Sequence, residues 1–311
     1  MAKLNEKQLQ NMIKVDNFLN KLLVKGKSNA TVKNYRIDMK GLVDFVPEKT
    51  FEEMTLDDID SFIQYLVVEK GMKAASVNRK IASLKHLFKD MYNKKQIEEN
   101  IMESVEKVAI KDSEKYKPKA LTKEEVKLLL ETIENSEQYQ RQYLSEFLVK
   151  RDLLMYSLII SVGLRIEEVL TLTFGQMDFE TNEIQIFGKS GGRLVPITNR
   201  IKELYQQYVV VRDDLLGLHN DRDIVFISAN GNKLTTANSL IRLKKYCELA
   251  GMDYIKNHDL RHTFATITLS AGKSIAVVSQ ILGHSSTDFT YRTYMQRDKK
   301  AHEDVCDFVI G

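Results

Sequence analysis

Over residues 12–110, apolar side chains return at the spacing of one helical face with hardly a break. This confines the first third of the chain to a small helical bundle. In MIKVDNFLNKLLVKG, residues Ile13, Phe18, Leu19, Leu22 and Leu23 share a face, and the run stops at Gly26. Ser28 is placed to cap a second helix carrying Val32, Tyr35, Met39, Leu42 and Val43. A third starts at Thr55, with Asp57 and Asp58 in the first turn, where the helix dipole favours them. A fourth begins at Ser76 and buries Val77, Ile81, Leu84, Leu87 and Phe88.

The pattern then changes. KDSEKYKPKALTKEE has no apolar period and reads as an extended linker over 111–119. Helix resumes behind a capping box, Thr122 with Glu125. Residues 151–172 are apolar enough to be core helices of a second domain, interrupted at Gly163. In NEIQIFGKSGGRLVPIT the period becomes two: Ile184 and Ile186 alternate with polar residues, and Leu194, Val195 and Ile197 follow a glycine-rich turn holding Lys189. DIVFIS reads as a short strand or buried segment, and the remainder to 311 as helical. The expected fold is mainly α with a small β-hairpin or sheet. It comprises a helical domain (1–110), a linker (111–119) and an α+β domain (120–311), which a chain of 311 residues can supply.

Net charge is only +3, too balanced to argue for nucleic acid by itself, so any basic surface must come from local clustering. Cys247 and Cys306 are far apart, with no metal spacing, which fits a reducing cytosol. The N-terminus is polar, and no apolar run approaches the roughly 20 residues of a membrane helix. A cytoplasmic, membrane-free protein is expected.

Unusual polar residues stand in apolar or glycine-marked contexts in the second half: Arg165, Lys189, HDLRH (His258–His262), and His284 followed by Tyr291 and Tyr294. Each has a mundane reading alone. Arg165 can be a surface charge paired with Glu167 or Glu168, Lys189 a solvated hairpin lysine, His284 a turn residue, and the tyrosines helix-face aromatics. Two rival chemistries fail on residue type. His258 and His262 have zinc-protease spacing, but Asp259 stands where a glutamate base is needed. FGKS resembles the end of a phosphate loop, but Glu183 occupies the position of its first glycine. Jointly, two arginines, a lysine and histidines suit an anionic, five-coordinate phosphorus transition state, in a field that also favours a tyrosine oxyanion.

The ordered motifs resemble those of the tyrosine recombinases, the phage integrase family. FLNKLLVKGKSNATVKNYRIDMKGLVDFV and ASVNRKIASLKHLFKDMYNKK are similar to that family's core-binding helices. LTKEEVKLLL resembles the opening of its catalytic domain, GLRIEEVLTL its first arginine box, and FGKSGGRLVPI its β-hairpin lysine. HDLRHTFAT resembles its H-x-x-R box, and LGHSS with a following tyrosine its last box.

The resemblance implies that Arg165 and Arg261 bind the non-bridging oxygens of a scissile phosphate and that Lys189 protonates the departing 5′-oxygen. It also implies that His258 handles the tyrosine proton, His284 donates to the phosphate and Glu168 supports the site. The family places its nucleophile nine or ten residues beyond the last-box histidine, which selects Tyr294 over Tyr291 and leaves the latter to packing. It implies no metal or other cofactor. Its substrate is double-stranded DNA with a specific site, held by both domains as a clamp, and its assembly is a homotetramer on paired sites. The apolar tail Val305, Phe308, Val309 and Ile310 then docks into a neighbouring subunit or covers its own domain.

Lys33, Arg36, Arg79, Lys80 and Lys85 are candidate DNA contacts in the first domain. From the length no added arm-binding domain is expected, which suggests a Xer-like or simple mobile-element enzyme; STDFTYRTYMQ and the insertion-like ENSEQYQRQYLSEFLVK depart from housekeeping Xer proteins and lean toward an element or phage enzyme. The expected function is site-specific recombination through a 3′-phosphotyrosyl intermediate, serving integration, excision or resolution. The alternatives are type IB topoisomerase-like relaxation or a catalytically silent DNA-binding protein.

Overall fold

The computed structural model describes residues 4–110, 119–136, 142–188, 191–216 and 223–283. The chain divides into two compact units, residues 1–116 and 117–311.

The first unit is helical: α1 (Glu6–Val24), α2 (Asn29–Phe45), α3 (Leu56–Gln64), which runs on into a π-helical turn at Tyr65–Glu69, and α4 (Ala74–Asn93). Residues 94–110 form turns and extended chain, so helix ends earlier than the apolar pattern implied. Capping sets the starts. Asn5 accepts the Gln8 N–H at 2.8 Å, Ser28 accepts that of Thr31 at 3.2 Å, and the Thr55 N–H donates to Asp58 at 2.8 Å. On α1 the inward stripe is Met12, Val15, Phe18 and Leu19, while Ile13 and Leu23 face solvent at 54% and 39% exposure. Ile13 lies roughly 160° around the helix from the middle of that stripe and so points away from it. The α4 face is buried as the spacing implied, with Phe88 edge-on to Phe51.

The first unit also buries a charge. Asp38, on α2, is fully inaccessible and takes both guanidinium nitrogens of Arg79 at 2.5 and 2.8 Å and the Lys80 ammonium at 3.0 Å. Such a site depends on all three partners, because a buried carboxylate left alone is costly.

The second unit comprises α5 (Lys123–Glu134), α6 (Gln142–Val162), α7 (Ile166–Leu170), β1 (Met177–Asp178), β2 (Glu183–Gly188), β3 (Gly191–Pro196), α8 (Asn199–Leu216), α9 (Thr236–Leu249), α10 (Asn257–Ser270) and α11 (Ile275–Leu282). Helix α6 is the core element: Leu153 through Ile160 are buried without exception, and α5, α8 and α10 pack around it. A helix buried all round shows little amphipathic period, and α6 reads accordingly as a continuous apolar run.

The strands form an antiparallel sheet in the order β1-β2-β3, with Ile184 opposite Val195, Ile186 opposite Arg193 and Gly188 opposite Gly191. Ile184, Ile186 and Val195 point inward, while Phe187 and Leu194 are exposed. The DIVFIS segment is buried at Val225, Phe226 and Ile227 and makes only isolated bridges, from Ile224 to Thr173 and from Ile227 to Lys233. Among the described residues no helix is long and apolar enough to cross a membrane.

Removing the carboxylate in Asp38→Ala would leave Lys80 without its buried partner. We expect the first unit to lose about 3 kcal/mol, read as a fall in urea midpoint.

Candidate active site

Helix α6 ends inside the protein, and Gly163 is how it ends. Its φ of +69° is left-handed, and a Cβ there would stand 2.6 Å from Phe264 Cδ1 and 2.9 Å from Leu282 Cδ2. Backbone conformation and space therefore both demand glycine. Its carbonyl accepts the Arg261 Nη1 from α10 at 2.6 Å, and Arg261 Nη2 donates to the Leu282 carbonyl at the end of α11, also at 2.6 Å. Arg261 is 2% exposed. The C-terminal ends of two helices present partial negative charge to this buried cation, stabilising it without cancelling it.

Two residues after Gly163, Arg165 caps α7. Its N–H donates to Glu168 Oε2 at 2.8 Å and its Nη1 to Glu168 Oε1 at 3.0 Å, yet its side chain keeps 41% exposure. His258 precedes Arg261 by three residues on α10 and so lies on the same side of that helix. Burial, then the charge of Arg261, push its imidazole below the ordinary 6.5. Arg165 adds to the shift, and Asp259 and Glu167 oppose it. The two arginines and the histidine thus share one electrostatic environment, and His258 is neutral at pH 7, able to accept a proton. His262, the other half of the zinc-like spacing, is buried with its ring 6.4 Å from that of His258. Among the described residues, no group of three metal-ligating side chains is assembled.

Glu168 is the hub of this cluster. It also receives Arg193 of β3 in a fork, Nη1 to Oε1 at 2.9 Å and Nη2 to Oε2 at 2.7 Å. Burial alone would raise its carboxyl, but Arg193, the Arg165 N–H and both guanidinium charges outweigh that and hold it below 4.5. Sequence reasoning passed over Arg193. Its signal was positional: two residues before the buried Val195, it is a charge on the inward face of a strand.

Lys189, His284, Tyr291 and Tyr294, with the apolar tail, lie outside the described residues, as do 111–118 of the expected linker. The basic side chains of the first unit divide. Lys33 is exposed, Arg36 is half-exposed and paired with Asp16, and Arg79 is half-exposed although it forks Asp38. Lys80 is turned inward at 8% exposure, and Lys85 donates to the Val105 carbonyl at 2.6 Å. Expecting Lys80 at the surface overlooked the acid on the neighbouring helix.

Known proteins share this fold across the chain. A recombinase described as XerH, bound to its difH substrate before cleavage, has a TM-score of 0.73 at 18% identity, covering 98% of this chain and 97% of that one. The Tn1549 transposon integrase in complex with circular-intermediate DNA has a TM-score of 0.74 at 18% identity, covering 95% and 99%. These structures share the fold: a helical unit followed by an α+β unit.

The sequence carries the relationship further. Residues 119–301 match the phage integrase family and residues 15–98 the phage integrase N-terminal SAM-like domain. Tyrosine recombinase XerD of Haemophilus influenzae is 30% identical over 95% of this chain and 98% of its own length. Tyrosine recombinase XerC of Thermodesulfovibrio yellowstonii is 30% identical over 94% of each. The chain belongs to the phage integrase family, the tyrosine recombinases, and its activity is the cleavage and rejoining of DNA strands.

Gly163→Ala combines a left-handed φ with a clash and should cost the second unit about 2–4 kcal/mol in denaturant unfolding. Glu168 has a folded pKa below its unfolded one, so its contribution is complete above pH 4.5 and is lost as pH falls through the lower folded value. Glu168→Gln should lower the melting temperature at neutral pH and flatten its fall as pH drops below about 4.5.

Proposed function

We propose that this enzyme is a site-specific recombinase whose cage for the scissile phosphate is built on Arg165 and Arg261, with Tyr294 as nucleophile. The observation that carries this reading is that buried Arg261 holds the Gly163 carbonyl, two residues before the half-exposed Arg165, where α6, α7 and α10 meet. In the proposed step the Tyr294 Oη attacks phosphorus and its proton passes to His258, while the bond from phosphorus to the 5′-oxygen breaks. Lys189 protonates that oxygen, and His284 donates to a non-bridging oxygen. Each strand break leaves a 3′-phosphotyrosyl ester and a free 5′-hydroxyl. The ester conserves the energy of the broken linkage, so a second 5′-hydroxyl can reverse the step without ATP or a divalent metal.

Residues 120–311 are the catalytic domain in this reading. Residues 1–110 grip the flanking duplex, with Lys33, Arg36 and Arg79 contributing phosphate contacts through their exposed parts; Lys80 and Lys85 contribute to that surface only if they leave their internal partners. The substrate is double-stranded DNA carrying a specific site, the working assembly is a homotetramer on paired sites, and the compartment is the cytoplasm.

A nicked duplex that loses its short 5′-hydroxyl fragment after cleavage traps the covalent complex. The complex should form with wild type and Tyr291→Phe and disappear with Tyr294→Phe. An adduct that survives Tyr294→Phe and vanishes in Tyr291→Phe refutes the assignment.

A further inference from the structure

We propose that Arg193 is a positioning residue for strand cleavage: it occupies Glu168 so that Arg165 is presented to the scissile phosphate instead of being drawn onto the carboxylate. The inference rests on the reading of Arg165 as a phosphate ligand.

The geometry divides the two arginines by role. Glu168 has an accessibility of 11%, and each of its oxygens is bonded twice. Oε1 takes the Nη1 atoms of Arg165 and Arg193; Oε2 takes the Arg165 backbone N–H and Arg193 Nη2. Arg193 thus makes the planar fork-to-carboxylate contact with both terminal nitrogens, whereas the guanidinium of Arg165 is engaged there through Nη1. Exposure follows the same split, 13% for Arg193 and 41% for Arg165.

A buried carboxylate needs a full counter-charge. Without Arg193, Arg165 would be the nearest source, and a second fork contact on Glu168 would compete with the phosphate oxygens for the same N–H groups.

Arg193 is itself anchored. Its Nε donates to the Ile281 carbonyl at 2.7 Å, in the last turn of α11. Its side chain lies so close to Gly283 that a Cβ there would be 3.0 Å from Nη1 and 3.1 Å from Cδ. One side chain therefore ties the hairpin strand that follows Lys189, the α7 carboxylate and the backbone just before His284.

The test is single-turnover cleavage by the full chain of a nicked duplex with one of two scissile linkages: the natural phosphodiester, or a methylphosphonate in which an uncharged methyl replaces a non-bridging oxygen. An arginine that works by balancing that oxygen's charge becomes dispensable on the neutral linkage. Arg193→Ala should slow phosphodiester cleavage about 10²-fold and methylphosphonate cleavage less than about 5-fold. Arg165→Ala should show the same split. Arg193→Lys keeps the charge but not the fork and should lose about tenfold on the phosphodiester. Glu168→Gln removes the charge that would draw Arg165 off the phosphate, so Arg193→Ala in that background should cost less than about 5-fold on the phosphodiester, and this double variant decides the matter if Arg193→Ala alone does not fold.

Equal losses on both linkages for Arg193→Ala, or none on the phosphodiester, overturn the inference. If Arg165→Ala shows the split and Arg193→Ala does not, only the inference falls. If Arg165→Ala shows none, the phosphate-ligand reading of Arg165 fails and takes the inference with it.

Discussion

A helix buried on every side must end somewhere in the interior, and the way α6 ends organises the second unit. Its terminal carbonyls need donors, and Gly163 turns the chain with a left-handed φ and carries no Cβ to strike Phe264 and Leu282. The Gly163 carbonyl then receives Arg261. The same turn releases the chain into α7 with Arg165 at its cap and Glu168 in its first turn. One left-handed residue thus joins the two arginine segments, nearly a hundred residues apart along the chain, because Arg261 binds its carbonyl and Arg165 follows it by two.

The cations at this site are held in two different ways, and the difference suits them to an anion that comes and goes. Arg261 rests on carbonyl dipoles at two helix ends. Arg165 and Arg193 share one carboxylate, whose proton affinity they depress. Two guanidinium groups against one carboxylate leave a positive excess, the sign a phosphodiester and its transition state require. Burial, then the charges of Arg261 and Arg165, lower the proton affinity of His258 below the ordinary imidazole value.

In the first unit the same residue types serve a structural end. Arg79 and Lys80 are neighbours on α4, yet both reach the inaccessible Asp38 of α2. Arg79 keeps about half its surface because its longer side chain meets the acid from the rim, while Lys80 is enclosed. A basic stripe read along a helix therefore overstates the charge available to DNA unless the acids on neighbouring helices are counted.

Local chemistry was legible in the chain. Caps at Ser28, Thr55 and Thr122, the break at Gly163 and the alternation at Ile184 and Ile186 depend on residues a few positions apart, so the linear sequence contains both partners. The roles suggested for Arg165, Glu168, His258 and Arg261 were legible through motif order, because their surroundings are short and ordered along the chain. The long-range pairings were not. Arg193 meets Glu168 across 25 residues and Ile281 across 88, and Lys80 meets Asp38 across 42. Nothing local marks such a charge as spent, since its partner is chosen by how helices and strands pack. The sequence by itself determined the helices and the hairpin and named the residues proposed to carry chemistry; only the tertiary structure decided which of the described charges face outward and which neutralise one another, because that depends on burial and distance.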